Sequence, residues 1–328
     1  MVYIIFILNF AEEKRRKIKI QSVKSKFVRT RLLTFLLLIV PAFSHLCGAK
    51  RVITGDERTE LYLPLISGKR VALFSNQTGL VGLEQKHVLD VLVENRANVV
   101  AVFSPEHGFR GKADAGALVA DEVDKQTGIP ILSLYGQNRK KHLGEEAMSR
   151  FDVLLVDIQD VGLRYYTYYV TMCHLMDACT KYGHEVIILD RPNPNGHYVD
   201  GPILDMKLRS GVGHLPIPVV HGMTLGELAQ MAIGERWLNE GNACKLTVIP
   251  CLNYTHKTHY DLPVAPSPNL PNMQSIYLYP SLCPFEGQWS AWDEARTSPF
   301  SNTGTPPCKP ATPTPSLPKA LLEPPAPS

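Results

Sequence analysis

The stretch Val153-Leu-Leu-Val-Asp157-Ile-Gln-Asp160-Val-Gly-Leu-Arg164 joins a short apolar run to a polar segment that begins where the run ends. An apolar run of this length is typical of a buried strand. The residues that follow, 165–182, have the spacing of an amphipathic helix. A strand, a polar loop and a helix in this order form the repeating unit of a parallel α/β sheet.

The same pattern recurs along the middle of the chain. Strands are predicted at residues 70–75, 98–103, 131–134, 153–158 and 185–190, and helices at residues 87–94, 145–150, 165–182 and 224–239. The last helix opens with Thr224 and, three residues on, Glu227, which is the spacing of a capping box. We therefore expect an α/β fold with a Rossmann-like, doubly wound parallel sheet.

Polar clusters follow four of the predicted strands. They occupy residues 75–79, 104–111, 157–166 and 190–196. Because the carboxyl ends of parallel strands meet at one edge of the sheet, we expect these clusters to form one polar binding cleft. A single cluster is explained by an ordinary turn, but four clusters at corresponding strand ends favour a site.

The predicted cleft carries no recognisable cofactor motif. The loop after the first strand lacks GxGxxG, and the chain contains neither a Walker A sequence nor HExxH. We therefore predict no cofactor and no metal. The alternative, a metal held by His107, His221 and neighbouring acids, has no ligand spacing in its favour.

Acids, amides, arginine and tyrosine in such a cleft suit sugar recognition and glycoside hydrolysis, in which a carboxylic acid protonates the leaving oxygen. Glu106 is the best candidate for that acid. His107 is placed to position it, and Arg110 to bind a substrate carboxylate. The alternative for Glu106 is an ion pair with Arg110 that stabilises the loop.

A second carboxylate for such a reaction has two candidates, Asp157 and Asp160. Both lie in the polar cluster 157–166, which begins at the end of the 153–158 strand. Either one could equally have a structural role, in which its carboxylate holds Arg164 in place. The sequence does not decide between these two roles.

The formal net charge of +3 is unevenly distributed along the 328 residues. Residues 1–31 hold nine Lys or Arg and two Glu, and an apolar run at residues 32–40 follows them. This pattern predicts a secretory signal over residues 1–44 and an exported protein, periplasmic or secreted. The alternative is an uncleaved membrane anchor. The remainder is net acidic, so we expect no nucleic-acid partner.

The seven cysteines form no CxxC pair, which disfavours a zinc ribbon. Export would permit disulfides, and a Cys244–Cys251 bond is conceivable from the spacing. Free buried thiols are the simpler expectation.

Six motifs stand in order along the chain: Ser75-Asn-Gln-Thr-Gly79, Ser104-Pro-Glu-His-Gly-Phe-Arg-Gly111, Asp157-Ile-Gln-Asp-Val-Gly-Leu-Arg164, Asp190-Arg-Pro-Asn-Pro194, His221-Gly-Met-Thr224 and Pro266-Ser-Pro-Asn-Leu-Pro271. Together they resemble the bacterial exo-β-N-acetylmuramidases, glycoside hydrolase family 171, formerly a family of unknown function. The resemblance covers about residues 51–287.

The resemblance implies an enzyme that removes N-acetylmuramic acid from the non-reducing end of peptidoglycan fragments, such as a muropeptide or disaccharide, in cell-wall recycling. It implies a Rossmann-like catalytic domain at residues 50–240 and a smaller α/β domain that starts at residues 241–287. Glu106 matches the family's proposed catalytic glutamate. Asp160 is our candidate for the second catalytic role, which the substrate's own N-acetyl group could also fill.

The resemblance also implies which side chains bind the substrate. Its lactyl carboxylate would give a basic residue, Arg110 or Arg164, a partner. The full set of candidate substrate-binding residues is Asn76, Gln77, Thr78, Arg110, Asp157, Gln159, Arg164, Tyr166, Asn193, His221 and Asn269.

Other functions compete with this one. A non-catalytic protein could bind sugar or peptidoglycan in the same cleft. An esterase or amidase is disfavoured because Ser75 and Ser104 lack a GxSxG elbow.

The chain departs from the family pattern after Gly287. Residues 299–328 hold ten of the 26 prolines and have almost no apolar periodicity. One nucleotide inserted behind Gly287 allows the codons to spell Thr-Val-Val-Ser-Val-Gly-Arg-Gly-Thr, which resembles the family. We therefore predict a frameshift at about residue 288, a Pro-rich disordered segment at residues 288–328, and a truncated second domain that leaves the chain unstable or inactive. The alternative is a native secreted tail.

Overall fold

The computed structural model describes residues 50–106, 108–109, 121–134 and 138–285. Its strands, in chain order, are β1 (Arg70–Ser75), β2 (Leu80–Val81), β3 (Lys86–His87), β4 (Asn98–Ser104), β5 (Glu122–Val123), β6 (Pro130–Ser133), β7 (Val153–Asp157), β8 (Glu185–Leu189) and β9 (Lys245–Ile249). The predicted leader at residues 1–44, His107, Arg110 and the predicted tail at residues 288–328 lie outside the described residues.

The strands β5-β6-β4-β1-β7-β8-β9 form one sheet in that order. All neighbours pair in parallel except β5, which is antiparallel to β6. In chain order the six parallel strands stand as 3-2-1-4-5-6, which is the order of a doubly wound Rossmann-like sheet. The predicted α/β fold with a parallel sheet is therefore confirmed, and its switch point lies between β1 and β7.

Helices cover both faces of the sheet. They are α1 (Thr59–Ile66), α2 (Val88–Glu94), α3 (Asn138–His142), α4 (Glu145–Met148), α5 (Tyr168–Tyr182), α6 (Leu225–Gly234) and α7 (Met273–Leu282), with short 3₁₀ turns at Gly55–Glu57, Met206–Leu208, Glu240–Ala243 and Cys283–Phe285. In β7, Leu155 packs in the core layer under α1 and α2, and its neighbour Leu154 packs in the layer under α5 and α6. This alternation explains why the central strands are apolar throughout.

The helix predicted at residues 224–239 begins as expected, after Thr224, but it ends at Gly234, five residues earlier than predicted. The Thr224 hydroxyl accepts a hydrogen bond from the Glu227 amide at 3.2 Å, and Glu227 accepts one from the Thr224 amide at 2.9 Å. The capping box is therefore confirmed. The helix ends at Gly234 because Arg236 has a φ of 57°, in the left-handed region that an α-helix does not enter.

Strand β9 lies beyond the predicted domain boundary at residue 240, yet it pairs with β8 along its whole length. The sheet of the first predicted segment, 50–240, thus includes the beginning of the second, 241–287. Cys244 and Cys251 flank this strand at opposite ends, about 20 Å apart at the usual rise per residue. The suggested Cys244–Cys251 disulfide is therefore wrong, because bonded cysteines need Cα atoms within about 7 Å.

Candidate active site

The switch point between β1 and β7 is bordered by loops that begin at Asn76 and at residue 158. Hydrogen bonds join the two loops. The Asn76 side-chain oxygen accepts from the Thr78 amide at 3.0 Å and from the Thr78 hydroxyl at 2.5 Å, and the same hydroxyl accepts from the Gln159 amide at 3.0 Å. Since all three residues are buried, these contacts hold the crevice edges in one arrangement.

Tyr168, at the start of α5, connects this network to a more distant segment. Its hydroxyl accepts a hydrogen bond from the Asn76 side-chain amide at 3.2 Å and donates one to the Pro266 carbonyl at 3.3 Å. The Gln77 side-chain amide donates to the Ala265 and Pro266 carbonyls, both at 3.1 Å. The motif that contains Asn269, which is half-buried, is thereby brought to the crevice.

Glu106 follows β4 and is partly exposed. Burial raises the pKa of Tyr168, and the negative charge of Glu106 raises it further. Asp160 also raises the pKa of Tyr168. The charges of the two candidate catalytic carboxyl groups, which come from different strand ends, thus act on the same tyrosine.

Asp160 is 6% exposed. Its Oδ1 accepts a hydrogen bond from the Gly162 amide at 2.7 Å, whereas its Oδ2 has no hydrogen-bond partner within the described parts of the chain. Burial raises the pKa of Asp160 to about 7 because the charged form loses its hydration. This carboxyl group can hold or release a proton near neutral pH.

His221 lies on the segment that pairs with the Asp160 loop, and it is 3% exposed. Its amide donates to the Gly162 carbonyl at 3.1 Å, and its Nδ1 accepts from the Met223 amide at 3.2 Å. Burial lowers the pKa of His221 to about 4, so the ring is neutral at physiological pH.

Buried polar atoms that find no hydrogen-bond partner among the described residues concentrate at this edge of the sheet. At this edge they are Gln77 Oε1, Ser104 Oγ, Asp160 Oδ2, Arg164 Nε, Tyr166 Oη, Asn195 Oδ1 and His221 Nε2, whereas His184 Nε2 lies at the opposite end of the sheet. Such atoms are rare in folded proteins because each one costs free energy. Their concentration at the switch point, from several different loops, makes this region the candidate ligand site of the described structure.

Asp157 is occupied by a structural contact. The Arg191 guanidinium donates to Asp157 Oδ1 at 2.6 Å and to Oδ2 at 3.0 Å, and also to Asp56 Oδ2 at 2.6 Å. All three side chains are buried. Asp157 therefore pairs with Arg191 and not with Arg164, the partner that the sequence suggested.

Arg164 is also held within the protein. Its Nη1 donates to the carbonyls of Pro202 at 2.8 Å and Ile217 at 2.7 Å, and its Nη2 to the Tyr165 hydroxyl at 3.3 Å. Neither Asp157 nor Asp160 is needed to position it. The guanidinium joins the loop after β7 to the long segment that precedes α6.

The remaining predicted residues support the loops. The Gln159 side-chain amide donates to the carbonyls of Asp160 at 2.8 Å and Pro192 at 2.7 Å. The Asn193 side chain donates to the Met223 carbonyl at 2.8 Å and accepts from the Asn195 amide at 2.8 Å. The ring of Tyr166, another predicted residue, packs edge-on against Tyr168 at 4.6 Å.

Three residues of this region were not among the predicted ones: Tyr168, Arg191 and Asn195. The run Tyr165-Tyr-Thr-Tyr-Tyr169 at a helix start was a usable signal for Tyr168, because such phenols seek polar partners when buried. Arg191 and Asn195 lie within the 190–196 cluster, but only their partners reveal their roles. Among the described residues, no group of three or more His, Cys, Asp or Glu is placed to hold a metal.

Gly162 is required between Asp160 and the Asn193 loop. Its φ is 79°, and a Cβ there would lie 2.6 Å from Asn193 Cγ. We expect Gly162→Ala to lower the free energy of unfolding by about 2–4 kcal/mol, from backbone strain and steric overlap. Gly68→Ala is the matched control, since Gly68 has a φ of 74° and open space around it. Urea unfolding measures the free energy of unfolding of both variants. Equal decreases in the two would show that the steric overlap with Asn193 adds nothing to the backbone strain.

A polar crevice at the switch point of a doubly wound sheet places this chain among the Rossmann-like α/β proteins, a class in which ligands commonly bind at strand ends. The family model described as "Exo-beta-N-acetylmuramidase NamZ, N-terminal" matches residues 71–274, and the chain belongs to this family. The resemblance inferred from the six motifs is confirmed.

Individual relatives agree with the family. Peptidoglycan beta-N-acetylmuramidase NamZ of Bacillus subtilis is 40% identical over 251 residues, which cover 75% of this chain and 59% of that protein. Crystal structures of two DUF1343 family proteins of Bacteroides fragilis match with TM-scores of 0.65 and 0.64, at 61% and 35% identity. They cover 73% and 71% of this chain, and 62% and 59% of their own. The chain spans about three fifths of the length of these relatives.

Proposed function

We propose that this protein is an exo-acting glycosidase that releases N-acetylmuramic acid from the non-reducing end of peptidoglycan fragments. The observation that carries the proposal is the buried carboxyl group of Asp160, whose Oδ2 has no partner among the described residues, together with Glu106 on the loop after β4. A pair of carboxyl groups is the usual equipment for cleaving a glycosidic bond. Membership of the NamZ family supports the same reaction and substrate.

Glu106 is the proposed general acid. It is partly exposed, on the loop after β4, so a leaving sugar can reach it from solvent. Arg164 and Arg191 are engaged with protein oxygens. Arg110, outside the described residues, is therefore the proposed partner of the lactyl carboxylate, and His107, also outside them, remains proposed to position Glu106.

The test is release of N-acetylmuramic acid, by the frame-corrected protein, from a disaccharide that carries it at the non-reducing end. We expect Glu106→Gln to reduce the rate at least about 100-fold, because Gln cannot supply the proton. Glu84→Gln, a change of the same kind at an exposed residue between β2 and β3, is the control and should keep full activity. Full activity in the Glu106 variant would refute its role.

The second candidate is a protein that binds the sugar without cleaving it. The observation in its favour is the departure from the family sequence after Gly287. Binding of the disaccharide with no release of product, by the encoded chain, would favour this candidate. Release by a frame-corrected chain alone would then assign the loss of activity to the altered segment.

The predicted frameshift is tested at the gene. Resequencing across the codons of residues 284–290 should reveal a missing nucleotide behind Gly287. An intact reading frame through residue 328 would overturn the hypothesis and leave the Pro-rich segment as native sequence.

Export is proposed from the leader sequence. The basic residues of segment 1–31 and the apolar run at 32–40 support cleavage near Ser44. The described residues contain no helix that is both long and apolar enough to cross a membrane. Amino-terminal sequencing of the protein from cell fractions tests the proposal; an intact leader in a membrane fraction would favour the uncleaved anchor.

A further inference from the structure

Asp160 and His221 lie on two segments that are joined directly by backbone hydrogen bonds. Leu163 and Val220 form an antiparallel bridge. The backbone of the neighbouring Gly162 forms hydrogen bonds with both Asp160 and His221. Its amide donates to Asp160 Oδ1 at 2.7 Å, and its carbonyl accepts from the His221 amide at 3.1 Å. The two residues are therefore held as a unit.

His221 offers a hydrogen-bond donor. Its Nδ1 accepts from the Met223 amide, so the neutral ring carries its proton on Nε2. That Nε2 is buried and has no acceptor among the residues described. A buried N–H without an acceptor is costly, and a ligand oxygen would relieve the cost.

Asp160 offers the complementary acceptor. Its Oδ1 is already bonded to the Gly162 amide, which leaves Oδ2 as the oxygen without a donor in the described structure. The side chain is 6% exposed, so a ligand group that reaches Oδ2 meets little competing water. The unit thus presents one acceptor and one donor.

An amide group needs this pair of partners, one for its N–H and one for its C=O. A carboxylate group of the ligand does not fit this pair. Ionised Asp160 would repel it, and neutral His221 has no positive charge to offset that repulsion. We infer that Asp160 and His221 form the subsite for the acetamido group of the sugar, with Asp160 Oδ2 accepting from its N–H and His221 Nε2 donating to its carbonyl. This inference rests on the proposed function.

The test measures calorimetric affinities of the full chain for two sugars, N-acetylmuramic acid and 3-O-lactylglucose, in which a hydroxyl replaces the acetamido group. The unchanged protein should prefer the acetamido sugar at least about 10-fold, since a buried donor and acceptor are unpaired with the analogue. His221→Leu and Asp160→Asn should each bring the ratio toward one while affinity for the analogue persists. Asn keeps the shape of Asp but presents an N–H to the ligand's N–H.

His184→Leu is the matched control. His184 also has an Nε2 without a partner among the described residues, but it precedes β8 at the opposite end of the sheet. This variant should keep the full preference. Equal affinity of the unchanged protein for both sugars, or a preference unaffected in both site variants, would overturn the inference and leave the proposed function standing. Failure of both the encoded and the frame-corrected chain to bind either sugar would overturn both.

Discussion

Replacing Arg191 by methionine is expected to lower the free energy of unfolding by about 3–5 kcal/mol at pH 7.5, as for other buried pairs that lose one partner. The change leaves Asp56 and Asp157 buried without their common cation. Burial already raises the pKa of Asp56 to about 6 and also raises that of Asp157, and Arg191 opposes both shifts. Without Arg191 both carboxyl groups must take up protons to remain in the fold.

The cause can be separated from lost packing by changing pH. At pH 4 the two carboxyl groups carry less charge, so the deficit of the Arg191 variant should shrink. Arg150→Met is the control: Arg150 pairs with Glu146 at 2.8 Å on the surface of the protein. Such an exposed pair contributes about 0.3–0.5 kcal/mol. Urea unfolding of both variants at both pH values makes the measurement, and a loss below 1 kcal/mol for Arg191 would contradict the expected role.

Asp160→Asn is expected to stabilise the protein at alkaline pH. The pKa of Asp160 is raised to about 7 by burial, and in the unfolded chain it lies near the ordinary value. Between about pH 4 and pH 7 the folded state therefore holds a proton that the unfolded state has lost. Stability falls as pH rises through this window, and the full penalty, about 4 kcal/mol, is present above pH 7.

Asparagine does not ionise, so the variant escapes this penalty. We expect nearly equal free energies of unfolding at pH 4 and a variant that is more stable by about 3–4 kcal/mol at pH 8. Asp56 and Asp190, both with pKa values raised to about 6, change with pH equally in the two proteins and cancel. Urea titrations at the two pH values test this. If the variant is no more stable than the unchanged protein at pH 8, the prediction is wrong, and a positively charged group near Asp160 must stabilise its ionised form.

The stability and the sugar preference of the Asp160→Asn variant together test whether Asp160 belongs to the binding site. A side chain that destabilises the fold and yet occupies the crevice is explained by function, because strained or poorly solvated groups persist at sites that need them. The same Asp160→Asn variant is expected to gain stability and to lose acetamido preference. Misfolding is then excluded as the reason for the lost binding.

Much of the fold could be predicted from local sequence. The central strands are short apolar runs such as residues 70–75 and 153–157, and their ends carry polar clusters. Strand β9 was not predicted, because Lys245 and Thr247 are exposed at the sheet edge and interrupt its apolar run. Helix α1 was missed for a related reason: it contains Pro64, a residue that usually indicates a helix end.

The site was predicted in outline and not in its pairings. Sequence placed Asp157 and Asp160 in one loop with equal claims to a structural or catalytic role. The structure separates them, because Asp157 meets the Arg191 guanidinium whereas Asp160 Oδ2 meets no partner among the described residues. Asp157 and Asp160 are only three residues apart in the sequence, yet their carboxylates lie in different environments.

The sequence by itself determined the α/β class, the edge of the sheet where the site lies, and the family, because strand length, polarity at strand ends and motif order are local properties. Only the tertiary structure decided which polar groups are satisfied by the protein and which are left for a ligand. That division depends on partners far apart in the chain, such as Asp56 and Arg191, 135 residues from each other. Folding brings them together, and the polar atoms that stay unpaired at the switch point within the described residues are those we propose for ligand binding.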